Sequence, residues 1–177
     1  MAEHAGELLT IQRVAPIETR GLVVRCPAIQ DDGRIDPRFS ADGENTSPAL
    51  SWTAIPEADS YAVIVEDPDA PGDAPWIHWM IWNIPGTADG LAEDIAGKPR
   101  PDAPAGAVQG KNGASRYGWF GPKPPPGHGV HHYHFQVFAL TQPLNADPEA
   151  GLPELVNRLK ALTLASGEVV GTFETPG

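Results

Sequence analysis

Residues 63–86 read VIVEDPDAPGDAPWIHWMIWNIPG. The segment entering this stretch, Tyr61 to Glu66, has the alternation of a β-strand. The segment leaving it, Trp76 to Ile84, is apolar on both faces, which suits a strand in mid-sheet covered on both sides. Between them, Asp67-Pro68-Asp69-Ala70-Pro71 marks a turn, because proline holds the preceding residue extended and aspartate initiates turns. Two neighbouring strands therefore meet at a corner carrying Asp67, Asp69 and His78. A turn stiffened by two prolines fixes carboxylates with little entropy left to lose on binding. A buried imidazole needs a partner. For His78 the candidates are a backbone carbonyl, Asp67 or Asp69, or a ligand.

Working outward, residues 1–20 read as an N-terminal arm with a short strand over Leu8 to Val14, and residues 21–177 as a single domain. Val23 to Cys26 and the segment ALSWTAIP are further short strands. VHHYHFQVFAL, residues 130–140, splits by period two. One face carries His131, Tyr133, Phe135, Val137 and Ala139, is mostly apolar and points to the core. It delivers His131 and Tyr133 to one side. In LPELVNRLKALTLASG, Leu152, Leu155, Val156, Leu159 and Leu162 form a helical stripe, with Pro153 in the first turn and Gly167 placed just past the end. EVVGTF reads as a last strand. Residues 86–129 are dense in Gly and Pro, yet Tyr117, Trp119 and Phe120 argue for an ordered loop packed on the body. The pattern is mainly β, a β-sandwich with a small helical element.

Composition narrows the function. The 177 residues suit one self-sufficient core, and 19 glycines with 20 prolines imply many turns. The net charge of −11 repels nucleic acid and anionic membrane surfaces at long range, but leaves room for a local anion site. Cys26 stands alone, so there is no intrachain disulfide or cysteine-based zinc site, and the thiol reads as buried and inert. The opening MAEHAGELLTIQRV lacks the basic and apolar regions of a signal peptide, and no apolar run approaches a membrane span. A cytoplasmic protein without membrane insertion is the expectation.

His128, His131, His132 and His134 invite a metal reading, and the His-x-His on a strand is reminiscent of cupin barrels. The next acid, Asp147, lies beyond the strand, so the carboxylate such a site needs is not at hand. Ser47 and Ser115 lie outside any nucleophile-elbow context, and there is no Walker loop or dinucleotide fingerprint. No metal or cofactor is assigned. Two enzyme alternatives stay open: an acid–base hydrolase or lyase using His78 and Asp67, and a metal-dependent cupin-like enzyme using the histidine cluster.

DGENTSPALSW, VIVEDPDAP, WIHWMIWNIPG, GKNGASRYGWFGPKPPPG and VHHYHFQVFAL occur in this order, and the closing helix and GEVVGTFE follow. Together, from about residue 20 to about residue 173, they resemble the phosphatidylethanolamine-binding protein family in its bacterial and archaeal, Raf kinase inhibitor-like branch. The resemblance implies two antiparallel sheets in a Greek-key sandwich, with one C-terminal helix and a long Pro/Gly-rich loop. It implies a non-catalytic binding protein, with a small edge pocket for phosphate or a phosphorylated head group. By motif, the pocket positions fall on Asp67, Pro71, Trp76 and His78, and on Gly121, Pro125, His131 and Tyr133. Asp69 completes the acidic corner. The branch is often homodimeric, and relatives inhibit kinases or proteases, so a protein partner is part of the expectation. Departures from the branch pattern are Lys123 between the prolines of GPxPP, His132 after the pocket histidine, and Asn112-Gly113 in the loop.

On this reading His78, His131 and Tyr133 donate hydrogen bonds to an anion, the imidazoles most strongly when protonated. Backbone N–H groups of residues 121–127 add more. The acids orient an imidazole and hold it cationic. Trp76 and the prolines form an apolar rim.

Overall fold

The computed structural model describes residues 8–18 and 20–177. Among these residues eight strands form two antiparallel sheets. The smaller holds β1 (Val24–Arg25), β2 (Leu50–Trp52) and β5 (Gly90–Leu91) in the order β1-β2-β5. The larger holds β3 (Ser60–Asp67), β4 (Trp76–Pro85), β6 (Val108–Gln109), β7 (His131–Leu140) and β8 (Thr163–Phe173) in the order β6-β4-β3-β7-β8. The sheets pack face to face. Val24, Leu50, Trp52 and Leu91 on one side meet Tyr61, Val63, Val65, Trp79, Ile81, Phe135 and Val137 on the other.

The large sheet is covered on its outer face too, which is why β3 and β4 are apolar on both sides. Ala62, Ile64, Met80, Trp82, Phe138 and Leu140 form a second core there with Val14, Leu155 and Leu159. All eight residues of β3 are buried as a result. The stripe on α2 (Leu152–Leu162) supplies part of this cover, with Leu152 and Leu162 at its margins.

Two local expectations are corrected. The helix ends at Leu162, not near Gly167, because Thr163 and Ala165 are buried and pair with Leu140 and Ala139 of β7. Gly167 instead lies within β8, where a Cβ would stand 2.0 Å from the Leu22 carbonyl oxygen. The segment read as a strand over Leu8 to Val14 holds a four-residue helix, α1 (Thr10–Arg13). Its leading N–H groups are taken by side chains from the sheet below: Thr10 N–H donates to Glu66 Oε1 at 2.9 Å and Ile11 N–H to Gln136 Oε1 at 2.7 Å. Among the described residues no helix is long and apolar enough to cross a membrane.

The long Pro/Gly-rich connection is ordered by its polar and aromatic side chains. Gln109, fully buried, accepts from Trp79 Nε1 and donates to the carbonyls of Ala96 and Lys98. Asn112 Nδ2 donates to the Gly118 carbonyl. Trp119 stacks on Phe135 at 5.9 Å and meets Trp79 edge-on at 5.7 Å.

Candidate ligand pocket at the end of the large sheet

β3, β4 and β7 run out together at one end of the large sheet, and the site is built from their last residues. Asp67 closes β3, Trp76 and His78 open β4, and His131 and Tyr133 open β7. Asp67 follows Val63 and Val65 on the face toward the small sheet, as His131 precedes Tyr133 and Phe135. A β-bulge aligns β4 with them. Val65 pairs with Trp79, but Glu66 pairs with Ile77, so His78 is the extra residue with no partner across the ladder. The extra residue lets Trp79 stay in the inter-sheet core while His78 also turns toward Tyr133, their rings meeting edge-on at 5.0 Å.

These side chains enclose a cavity of about 330 Å³. Of the positions picked out in the sequence, Asp67, Pro71, Trp76, His78, Pro125, His131 and Tyr133 line it. Asp69 and Gly121 do not. Asp69 stands behind the wall: its N–H donates to Asp67 Oδ1 at 2.8 Å, and its Oδ2 accepts from the backbone N–H and Nδ1 of His132 at 2.9 and 2.8 Å. Gly121 is turned away, donating its N–H to Asn45 Oδ1 at 2.7 Å. Ala70, Phe120, Lys123 and Pro124 line the cavity and were not singled out as pocket positions. Ala70, Phe120 and Pro124 each adjoin a residue that was, and Lys123 lies two residues from both Gly121 and Pro125, so chain proximity is the signal that would have found them. Trp76 packs on His78 at 4.5 Å and on Phe120 at 5.3 Å, forming the apolar wall.

The polar groups are in unequal states. Asp67 Oδ2 meets His131 Nδ1 at 2.7 Å with both side chains buried, so burial raises the Asp67 pKa while His131 pulls it back. His78 belongs to neither acid. Its Nδ1 sits 2.6 Å from the Phe120 carbonyl oxygen, which only accepts, so Nδ1 carries the proton and Nε2 is left as a lone pair. Burial lowers the His78 pKa to about 4, against the support of that carbonyl. The expectation of a cationic His78 is therefore corrected: at neutral pH it is a neutral imidazole. His131 has both nitrogens engaged, Nδ1 by Asp67 and Nε2 by His128 Nδ1 at 2.6 Å. Tyr133 Oη is buried with no hydrogen-bond partner among the described residues, and burial raises its pKa. Lys123 reaches Asp42 at 3.2 Å.

The loop contributes less than expected. Pro122, Pro124, Pro125 and Pro126 have no N–H, and those of Gly121 and Gly127 are spent on Asn45 Oδ1 and the Thr175 carbonyl. The histidine cluster divides as well, with His128 and His131 staying in contact. His131 goes to Asp67, His132 to Asp69 and His134 to Glu168. Among the described residues no group of three His, Cys, Asp or Glu side chains is arranged to hold a metal ion. Cys26 is buried, and burial pushes its thiol up to about 11.

Residues 25–174 match the family described as phosphatidylethanolamine-binding protein. The chain belongs to the phosphatidylethanolamine-binding protein family. It is 41% identical over 150 residues to a UPF0098 protein of Methanothermobacter thermautotrophicus, covering 82% of this chain and 94% of the relative. The UPF0098 protein YbcL of Escherichia coli is 39% identical over 138 residues, covering 77% of this chain and 75% of YbcL. The crystal structure of YbcL, described as a new member of the mammalian PEBP family, superposes with a TM-score of 0.79 at 34% identity, covering 88% of this chain and 99% of that one.

Proposed function

We propose that the pocket binds phosphate or the phosphorylated head group of a small molecule, and that the protein acts by binding. One observation carries this reading: the Tyr133 hydroxyl lies buried on the wall of a cavity with no partner among the described residues. An unmade buried hydrogen bond costs about 1–3 kcal/mol, so a site that keeps one is built for a ligand that makes it. Around it stand one donor of positive charge, Lys123, and two acceptors, the Asp67 carboxylate and His78 Nε2. A fully ionised anion suits the donors and not the acceptors. A phosphomonoester carrying one proton suits both, and so does a phosphate ester with an ammonium group. The family's name points the same way. A volume of about 330 Å³ has room for such a head group. A cytoplasmic setting is part of the same reading.

Calorimetric titration with inorganic phosphate, phosphoethanolamine and sulfate tests it. Phosphate and phosphoethanolamine should bind, and sulfate, which carries no proton at neutral pH, should bind more weakly. Equal affinity for all three, or no heat from any, would overturn it.

A further inference from the structure

We propose that His128 is a built-in competitor for the pocket: it occupies the one nitrogen of His131 that a bound ligand would need, and a ligand gains His131 only when His128 leaves. The inference rests on the head-group reading above and adds a residue to it that lies outside the cavity lining.

His131 Nδ1 is committed to Asp67 at 2.7 Å inside the protein. A carboxylate only accepts, so that nitrogen carries a proton and Nε2 is the ring's sole remaining polar atom. His128 Nδ1 sits 2.6 Å from it, with the rings nearly edge-on at 4.9 Å. His131 is buried, and the contact with His128 takes up this last polar atom of its ring. His128 itself is exposed and belongs to a turn rather than to the sheet.

That turn is made to move without disturbing the strands. His128 N–H donates to the Pro125 carbonyl at 3.1 Å, and Pro125 lines the cavity, so the competitor and part of the pocket wall are one unit. The residues on either side, Gly127 and Gly129, have φ of 73° and 93°, where glycine alone is unstrained. A Cβ at Gly129 would meet nothing within 4 Å, and one at Gly127 only the Cα of Gly177. The turn has glycine on both sides of His128, and the bond from Gly127 N–H to the Thr175 carbonyl at 3.1 Å anchors the side that precedes it. A proline-stiffened segment, residues 122–126, precedes it, and β7 follows. His128 can therefore swing as a short flap, leaving the Asp67–His131 pair intact and Nε2 free to receive a phosphate proton or, once protonated, to donate to a phosphate oxygen.

The test compares the full-length protein with His128→Ala, and with His128→Gln as a second variant, using inorganic phosphate as the probe and 15N shifts of the His131 ring as a local readout. One released hydrogen bond of ordinary strength corresponds to roughly fivefold tighter phosphate binding in the alanine variant. Free imidazole should enter the space vacated in His128→Ala, shift His131 Nε2, and return phosphate affinity toward that of the unmodified protein. Equal or weaker phosphate binding in both variants overturns the competitor role while leaving the head-group reading in place. If neither protein binds phosphate, the head-group reading falls, and the imidazole arm decides the rest. A His131 shift on adding imidazole to His128→Ala, absent in the unmodified protein, supports His128 as the occupant of that position. No shift overturns it.

Discussion

Asp67 and His131 lie 64 residues apart in the chain and meet at 2.7 Å, with each side chain 2% exposed. This pair ties β3 to β7 at their open end, where ladder pairing has stopped at Glu66 and His134. It also fixes which His131 nitrogen faces away from the carboxylate. The pocket and the strand ends therefore depend on the same contact.

Removing the acid should cost stability in proportion to what is left behind. Asp67→Ala leaves His131 Nδ1–H and the Asp69 N–H without their acceptor and should cost about 3 kcal/mol in urea unfolding. Asp67→Asn keeps an oxygen and should cost less. The pH dependence has a definite sign. Burial raises the folded-state pKa above the ordinary 3.8, so the contribution of Asp67 is largest below that value and is lost as pH rises through the raised folded value. The deficit of Asp67→Asn against the unmodified protein should shrink across that acid window. A deficit that grows with pH there would contradict it.

His78 titrates in the opposite sense. Its folded pKa is about 4 against an ordinary 6.5, so the unfolded chain takes up a proton that the folded one refuses. The stabilising contribution is complete above pH 6.5 and is lost as pH falls toward 4, a change of about 3 kcal/mol. His78→Gln should flatten the stability profile between those values. NMR titration of the His78 ring gives the direct check, and a midpoint near 6.5 would refute the lowering by burial.

Tyr133→Phe separates folding from binding. The hydroxyl has no partner among the described residues, so its removal should leave stability unchanged or raise it by about 1 kcal/mol. Phosphate affinity should fall roughly tenfold, one lost hydrogen bond to a charged group. A large loss of stability with unaltered affinity would assign the hydroxyl a structural role.

Much of this was legible in the sequence because side-chain period reports burial directly. The alternation from His131 to Ala139 identified the core face of β7, and the two apolar faces of Trp76 to Ile84 required cover on both sides, which α1, α2 and the small sheet supply. What escaped depends on partners distant in the chain. A strict period of two would put His78 and Trp79 on opposite faces, and only the slip in register against Val65 and Glu66 brings His78 into the pocket. The helix at Thr10–Arg13 is held by Glu66 and Gln136, which lie 56 and 125 residues from the N–H groups they accept. The neutral state of His78 comes from the Phe120 carbonyl and burial, neither of which residue types reveal. Near Gly167 the glycine suggested a helix end, whereas the buried pairing of Thr163 and Ala165 with β7 decided the matter.

The departure at Gly113 predicts a last effect on the pocket. A Cβ there would stand 2.2 Å from Trp76 Cε2 and 2.6 Å from its Nε1, so the indole lies flat against a residue that must lack a side chain. Gly113 N–H is held by the Ile77 carbonyl at 2.8 Å, which keeps the loop from backing away. In Gly113→Ala either the indole or that hydrogen bond must yield. The indole is the softer, since it moves by side-chain rotation, and its neighbours are His78 and Phe120 on the cavity side. The variant should fold with a loss of about 1–3 kcal/mol, show an altered tryptophan fluorescence spectrum and bind phosphoethanolamine more weakly. Hydrogen exchange at residue 113 distinguishes the two routes: protection retained means the indole moved, and protection lost with fluorescence and affinity unchanged would show that the backbone gave way and that Trp76 is not set by this glycine.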